Sequence, residues 1–512
     1  MGRVERDPST AGSGTNEVVR RNSNALLLVV CLGQFMVILD VSIVNVALPS
    51  IKDALGFSTT GLQWVLNAYT LTFAGFLLLG GRASDLFGRR RTFFTGTLVF
   101  SGASLLCALA PSAGFLLAAR ALQGIGGAIL SPATLAIIAT SFDEGPPRNR
   151  ALGLWGAVGA IGATSGVLLG GILTEAFSWP AIFLINVPIG LAIVLFSSRL
   201  IPEGRSEGES RHFDLIGALL VTLGMTALTY GIVQTETNGW GSIPVLAPGL
   251  AGVALLVAFT LYEGSLDRIA DKVPLMPLGI FGLRNLRAAN LVIFLLYMAI
   301  FAFWFFQSLY MQGTLHYSAL GTGVAFVPMT LAVAAGATLA PRLSRRFSPR
   351  AALAAGMLSA TLGELLLTGV GPGGSYLTDV LPGGLFGAFG LGLALVPATI
   401  VAVQGVAPAI SGLASGVLNT SRFIGAAFGL AILSTLAATH TRSEIASGTS
   451  PGTALTDGFA FQFMIGAAFC LAGALAAIVL LGPQRELEVA GPVAHEPHPA
   501  DNPGLRAHER QA

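Results

Sequence analysis

Long apolar runs, separated by short polar breaks from Ala25 to Gly482, constrain this chain more than any other feature. About 20 apolar residues is the length a helix needs to cross a bilayer. Within hydrocarbon every backbone N–H and C=O must be satisfied inside the segment, which a helix achieves. Fourteen candidate spans follow, near 25–49, 62–80, 92–110, 114–140, 151–174, 181–200, 214–234, 244–264, 286–312, 318–341, 350–370, 377–405, 409–436 and 456–482. Only 11% of the residues are charged, against about 25% in soluble domains. The sequence therefore predicts an all-α polytopic membrane protein. Its 65 glycines and 26 prolines suit helices that approach closely and bend in a membrane.

Orientation comes from the loop Gly81–Arg91, whose consecutive Arg89, Arg90 and Arg91 cannot sit in hydrocarbon. Basic loops beside spans stay on the cytoplasmic side. With the amino terminus inside, only Lys52 and Arg442 fall in outer loops, Arg120 and Arg422 lie within spans, and the other 24 of 28 Lys and Arg are cytoplasmic. An even number of spans puts both termini inside. The expected organisation is a cytoplasmic tail over 1–24, six spans over 25–200, a linker with two further spans over 201–285, six spans over 286–482 and a disordered cytoplasmic tail over 483–512. The tail containing Arg3, Arg6, Arg20 and Arg21 is not a signal peptide.

The basic loop also repeats. Shifted by 260 positions, Arg82, Ser84, Phe87 and Arg90 meet Arg342, Ser344, Phe347 and Arg350, while Asp85 falls opposite Arg345 and Gly88 opposite Ser348. Two related halves are a common plan among secondary transporters.

Gly81-x-x-x-Asp85-x-x-Gly88-Arg89-Arg90 resembles the loop signature of the major facilitator superfamily, with Ala83 and Leu86 departing from its usual residues. Six spans, two intervening spans and six more resemble that superfamily's fourteen-helix drug:proton antiporters. The resemblance implies two six-helix bundles rocking about a central cavity, with two extra helices between them. It also makes the loop of Gly81, Asp85, Gly88, Arg89 and Arg90 a conformational latch; the simpler reading is a solvated charged loop. Leu39–Pro49 resembles the first-helix signature of these antiporters, Arg120-Ala121-Leu122-Gln123-Gly124-Ile125-Gly126 a fourth-span signature whose Arg is associated with proton transfer, and Gly166-Val167-Leu168-Leu169-Gly170-Gly171 a fifth-span antiporter motif with Val167 in the proline position. Ile185–Gly190 and Gly412–Arg422 are similar to further patterns of this branch.

Asp40 is a carboxylate well inside the first span, so it must be paired, hydrated or protonated. At about 1.5 Å of rise per residue, Asp40 and Arg120 can share a depth. Moving them apart would then load or release a proton. Asp40 and Arg120 are the candidate proton-coupling residues, the alternative for Asp40 being a purely structural carboxylate. Glu364 and Arg422 are further charges inside spans and can pair, or Glu364 can stand alone or protonated. Phe294, Tyr297, Phe301, Phe305 and Ser308 recur every three or four residues along one helical face. Such a stripe can stack on a planar ligand or simply pack. Gln34, Asn45, Asn67, Tyr69 and Gln123 are polar candidates for the same cavity, and Gly166, Gly170 and Gly171 for a hinge or close helix packing.

Spans ten and thirteen carry no acid, which favours neutral, zwitterionic or anionic ligands over dications. The lysines, Lys52 and Lys272, stand in no phosphate-binding loop, which argues against ATP hydrolysis. The six histidines lie in loops or tails, and Cys31, Cys107 and Cys470 have no metal spacing, so neither an enzyme constellation nor a metal site is visible. Asn419-Thr420-Ser421 matches a glycosylation pattern inside a span and is discarded. The expectation is a monomeric, cofactor-free exporter in the cytoplasmic membrane, exchanging a hydrophobic drug or antibiotic for protons and contacting lipid but not nucleic acid. The alternative is a metabolite or nutrient transporter of the same fold, possibly a symporter.

Overall fold

The computed structural model describes residues 11–58, 60–142, 146–201, 214–266, 274, 276, 278–404, 406 and 411–481, with backbone alone at 11–22, 85, 146, 149, 160, 198–199, 236–237 and 411–413. Among these, every regular element is helical. Residues 1–10 of the expected 1–24 tail, the 483–512 tail and most of the 201–213 linker lie outside the described residues, while 11–24 form the start of the first helix. The first half holds α1 (Ala11–Leu55), α2 (Trp64–Phe87), α3 (Arg89–Ala108), α4 (Ala113–Ser141), α5 (Pro146–Phe177), α6 (Ala181–Leu184) and α7 (Asn186–Leu200). Next come α8 (Leu215–Asn238) and α9 (Ile243–Leu266). The second half holds α10 (Arg284–Gly313), α11 (Ala319–Arg346), α12 (Pro349–Leu367), α13 (Leu381–Val403), α14 (Ser411–Ala446) and α15 (Pro451–Leu480).

Serine and aspartate set several of the helix starts, because their side-chain oxygens accept from first-turn N–H groups that lack a helical partner. Asp214 accepts from Gly217 N at 2.8 Å, Ser318 from Gly321 N at 3.1 Å and Ser348 from Ala351 N at 3.0 Å. Twelve helices among the described residues are long and apolar enough to cross a membrane. The two remaining expected spans are α3, which opens on three arginines and is rich in Ser and Thr, and the interrupted α6–α7 pair. Both pack into the first half: α3 packs on α4 and α7, and α6 packs on α3 and α5. They complete the fourteen.

Helices α1–α7 pack with one another, as do α10–α15, giving two six-span bundles. The bundles meet along two seams, α2 with α14 and α5 with α11. At the first seam the Phe73 and Phe423 rings lie 4.4 Å apart. The hairpin α8–α9 lies against that same seam, with α8 touching both α2 and α14. A Cβ on Gly75 would collide with the Thr222 side chain, so α2 and α8 come to backbone distance there.

The halves repeat in space as well as in sequence. A Cβ on Gly96 of α3 would fall 2.8 Å from Leu130 N of α4, and one on Gly356 of α12 would fall 2.7 Å from Ala394 N of α13. Gly126 of α4 meets Phe100 N of α3 as Gly390 of α13 meets Ala360 N of α12. Thus α3 maps onto α12 with the 260-residue offset, while α4 maps onto α13 with 264, four more residues separating the matched positions in the second half. The basic turns differ in detail. Gly88 takes φ 95°, a conformation that glycine adopts freely, whereas Ser348 at φ 178° is extended and caps α12. That explains why a serine stands where the first copy has glycine.

Candidate functional site

The first-span carboxylate does not face the seam between the bundles. Asp40 is fully buried among α1, α4 and α7. Arg120 Nη1 donates to its Oδ2 at 2.6 Å, and Gln123 Nε2 to its Oδ1 at 2.7 Å. Asn186 Nδ2 also donates to Oδ1, at 3.2 Å. Arg120 and Gln123 are one helical turn apart on α4, so both reach the same carboxylate, and Arg120 Nη1 additionally donates to Gln123 Oε1 at 2.7 Å. Arg120 Nε donates to the Val65 carbonyl at 3.0 Å, and Gln123 Nε2 to Ser104 Oγ at 2.7 Å. The guanidinium lies 4.6 Å from the Tyr69 ring centroid and 5.6 Å from that of Phe183.

This satisfies the requirement that a buried charge be paired and hydrogen-bonded. A carboxylate with three donors from two other helices ties α1, α4 and α7 together. Protonating it would remove the ion pair and leave Arg120 short of a counter-charge.

One turn of α1 points two ways. Asp40 enters the bundle, while Val41, Ser42 and Asn45 line a cavity of about 210 Å³ between the halves. Ala163 and Val167 of α5, Tyr297, Ile300, Phe301 and Trp304 of α10, Phe326, Thr330 and Val333 of α11 and Leu391 of α13 complete the wall. Among the described residues, no charged side chain lines it. Behind Tyr297, 6.0 Å from its ring centroid, stands the Arg422 guanidinium. An apolar, aromatic chamber with a few hydroxyls and amides is the usual make-up of a small-molecule site.

Of the polar and aromatic residues expected at the cavity, Asn45, Tyr297 and Phe301 line it, whereas Gln34, Asn67, Tyr69, Gln123 and Phe305 do not. Tyr69 and Gln123 turn inward to the Asp40–Arg120 pair. Gln34 lies near Ser131 of α4, and Asn67 is fully buried. Phe305 follows Tyr297 by eight residues, which at 3.6 per turn swings it well off that face. It packs edge-on against Phe306 instead, and Trp304 takes the wall position.

Glu364 and Arg422 do not pair. Arg422 donates to Asn419 Oδ1 at 2.8 Å and Thr399 Oγ1 at 3.4 Å, and Glu364 lies buried with neither carboxyl oxygen hydrogen-bonded among the described residues. The glycines of α5 serve contact: a Cβ on Gly166 would fall 2.6 Å from Ser42 Cβ, and one on Gly170 would fall 2.7 Å from Ile43 O. Gly171 faces the other half, 2.7 Å from Ala319 O of α11 by the same measure. In the basic loop, Thr92 Oγ1 donates to Ala83 O at 3.2 Å and Gly88 O at 3.0 Å, closing the turn around Gly81–Arg91. The Asp85 side chain lies outside the described atoms.

The cavity is roofed at the end opposite the arginine-rich turns. Pro49 has no N–H to give the Asn45 carbonyl four residues back in α1. That oxygen accepts instead from Ser308 Oγ of α10 at 2.7 Å, and Val46 O accepts from Gln312 Nε2 at 2.9 Å. Across the second seam, Glu175 of α5 accepts from Leu320 N at 3.1 Å, satisfying a first-turn donor of α11. Ser308, Gln312, Asn186, Ser104 and Glu175 belong to the site's machinery, and sequence reading gave Ser308 only as part of the aromatic stripe and Asn186 only as part of a motif. The helix-breaking proline was the available signal for the roof.

The pattern of the Major Facilitator Superfamily matches residues 30–430. A puromycin resistance protein of Streptomyces alboniger is 41% identical over 89% of this chain and 90% of its own length. A cephamycin export protein of Amycolatopsis lactamdurans is 42% identical over 82% of this chain and 87% of its own length. Among solved structures, a POT family transporter superposes with a TM-score of 0.65 at 16% identity, covering 91% of this chain and 99% of that one.

Proposed function

Because the chain belongs to the Major Facilitator Superfamily, we propose that it is a secondary active transporter that exports a hydrophobic antibiotic or drug in exchange for protons, by alternating access. The relatives' names, puromycin resistance and cephamycin export, support that cargo class. The observation that carries the reading is the divided turn of α1: Asp40 on the Arg120 ion pair, and Val41 and Ser42 on the cavity wall. A proton taken by Asp40 weakens its hold on α4 and α7. Since α1 is stiff over one turn, any shift of Asp40 moves the wall that contacts cargo. Cargo pressing on that wall favours, in turn, one arrangement of the ion pair. Reciprocal effects of this kind are what coupled transport requires.

The working units are 25–200 and 286–482, with 201–285 carrying the inserted pair. The protein sits in the cytoplasmic membrane with both termini inside, works as a monomer and needs no cofactor. The uncharged cavity wall, with Arg422 behind it, suits neutral or anionic cargo. The basic turn of Gly81, Asp85, Gly88, Arg89 and Arg90 acts as the latch on the cytoplasmic face.

The test uses purified protein in liposomes loaded with puromycin or cephamycin under an imposed pH gradient. Wild type accumulates cargo uphill with counterflow of protons. Asp40→Asn keeps the size but not the charge, and presents one acceptor oxygen and one N–H donor in place of two acceptor oxygens. It is expected to retain downhill exchange and lose uphill transport. Uphill, gradient-driven transport by Asp40→Asn would remove Asp40 from the mechanism.

A further inference from the structure

The second bundle contains a carboxyl group that the Asp40–Arg120 network does not use. Glu364 of α12 is fully buried, and neither of its oxygens has a hydrogen-bond partner among the described residues. An isolated carboxylate in such a place is prohibitively costly, whereas the neutral acid is tolerable.

Its position follows from the internal repeat. With the α3-to-α12 offset of 260, Glu364 occupies the place of Ser104, which accepts from Gln123 in the first bundle. With the α4-to-α13 offset of 264, Arg120 and Gln123 correspond to Gly384 and Gly387. The second bundle has kept a polar group at the Ser104 position, made it an acid, and replaced both former neighbours with glycine. No cation has taken the place of Arg120.

The surroundings fit a neutral acid. Gly466 of α15 makes room for the carboxyl group, since a Cβ there would lie 3.0 Å from all three of its atoms. One turn away on α15, Gln462 is buried with both amide atoms also unpartnered among the described residues. The elements packed on α12 are α10, α11, α13, α15 and the short turn at 376–380. Within their apolar stretches their titratable groups are Cys470 of α15 and Tyr297 and Tyr310 of α10, of which Tyr310 donates to Gly371 O. Asp457, Tyr376 and Asp379 lie toward the roofed end, and Arg284, Arg287, Arg342, Arg345 and Arg346 toward the arginine-rich end. Among the described residues, no positive charge is placed to hold Glu364 ionised.

We propose that Glu364 is a second proton-carrying site, protonated in this arrangement and discharged when the second bundle repacks and admits water to the Gln462 face. The O–H bond breaks, the proton passes to water, and the carboxylate remains hydrated until it recaptures one. The inference rests on the proton-coupled reading above and extends it: each cycle carries one proton at Asp40 and another at Glu364.

Infrared difference spectroscopy of the protein in liposomes, across a pH titration and with transfer to heavy water, tests it. The expected signal is a carboxylic-acid C=O band that disappears as pH rises, shifts in heavy water, persists in Asp40→Asn and is missing in Glu364→Gln. In the transport assay with puromycin, Glu364→Gln is expected to halve the protons moved per cargo while leaving transport uphill. A band that neither titrates nor exchanges in wild type would overturn the proposal without needing any variant to fold, as would an unchanged proton ratio in folded Glu364→Gln. If Asp40→Asn still transports uphill with an unchanged proton ratio while the Glu364 band titrates, the reading of Asp40 fails and that of Glu364 stands.

Discussion

Arg120 serves three acceptors at once: Asp40, the Gln123 amide oxygen and the Val65 carbonyl. A planar guanidinium can direct separate N–H groups to all three, whereas a lysine ammonium is a compact point charge. Arg120→Lys is therefore expected to keep the fold but lower uphill efflux by about tenfold or more, the range associated with losing a charge-assisted hydrogen bond. Arg120→Ala strands Asp40 and should cost about 3–5 kcal/mol, as removal of one partner from a buried pair does, read as a fall in thermal unfolding temperature in detergent. At this scale the sequence was informative where cost was high. A carboxylate and an arginine inside apolar runs announce themselves, and each lies in a recognisable motif. Ser104 and Asn186 are ordinary polar residues until their distance to Gln123 and Asp40 is known. Glu364 and Arg422 were equally visible as intramembrane charges, but which neighbours they meet depends on helix rotation, which span periodicity alone does not fix.

Among the elements, α1 shows how a local backbone defect becomes a contact between halves. Pro49 frees the Asn45 carbonyl, and Ser308 uses it. Pro49→Ala would return a helical N–H to that oxygen and compete with Ser308. In a protein with cysteine at Ser42, labelling by an impermeant maleimide from outside is expected to rise several-fold in Pro49→Ala; the buried Cys31, Cys107 and Cys470 should remain silent. Helix existence was legible from apolar run length, because a bilayer leaves few alternatives. The precise ends were not: α1 begins at Ala11 and passes Pro49 to end at Leu55, and α14 extends to Ala446, well beyond the apolar stretch near 409–436. Polar residues can continue a helix into the interface at little cost, so hydrophobicity marks the hydrocarbon rather than the helix.

For the whole molecule, the distribution of arginine makes a prediction about sidedness. Cysteine at Lys52 or Arg442 should react with an impermeant reagent in intact cells, while cysteine at Arg346 should react only after permeabilisation. Labelling of Arg346→Cys from outside intact cells would invert the assigned topology. The two-half plan was readable from the shifted basic loop. Where the extra pair docks was not, since α8 and α9 are apolar nearly all round and a lipid-facing helix carries no mark of its neighbour. They lie on one seam and leave the other bare. A structure braced along one edge swings like a door instead of tilting like a seesaw. Spin-label pairs across α5 and α11 should accordingly report a wider excursion during turnover than pairs across α2 and α14. A bulky guest would then enter and leave on the unhinged side.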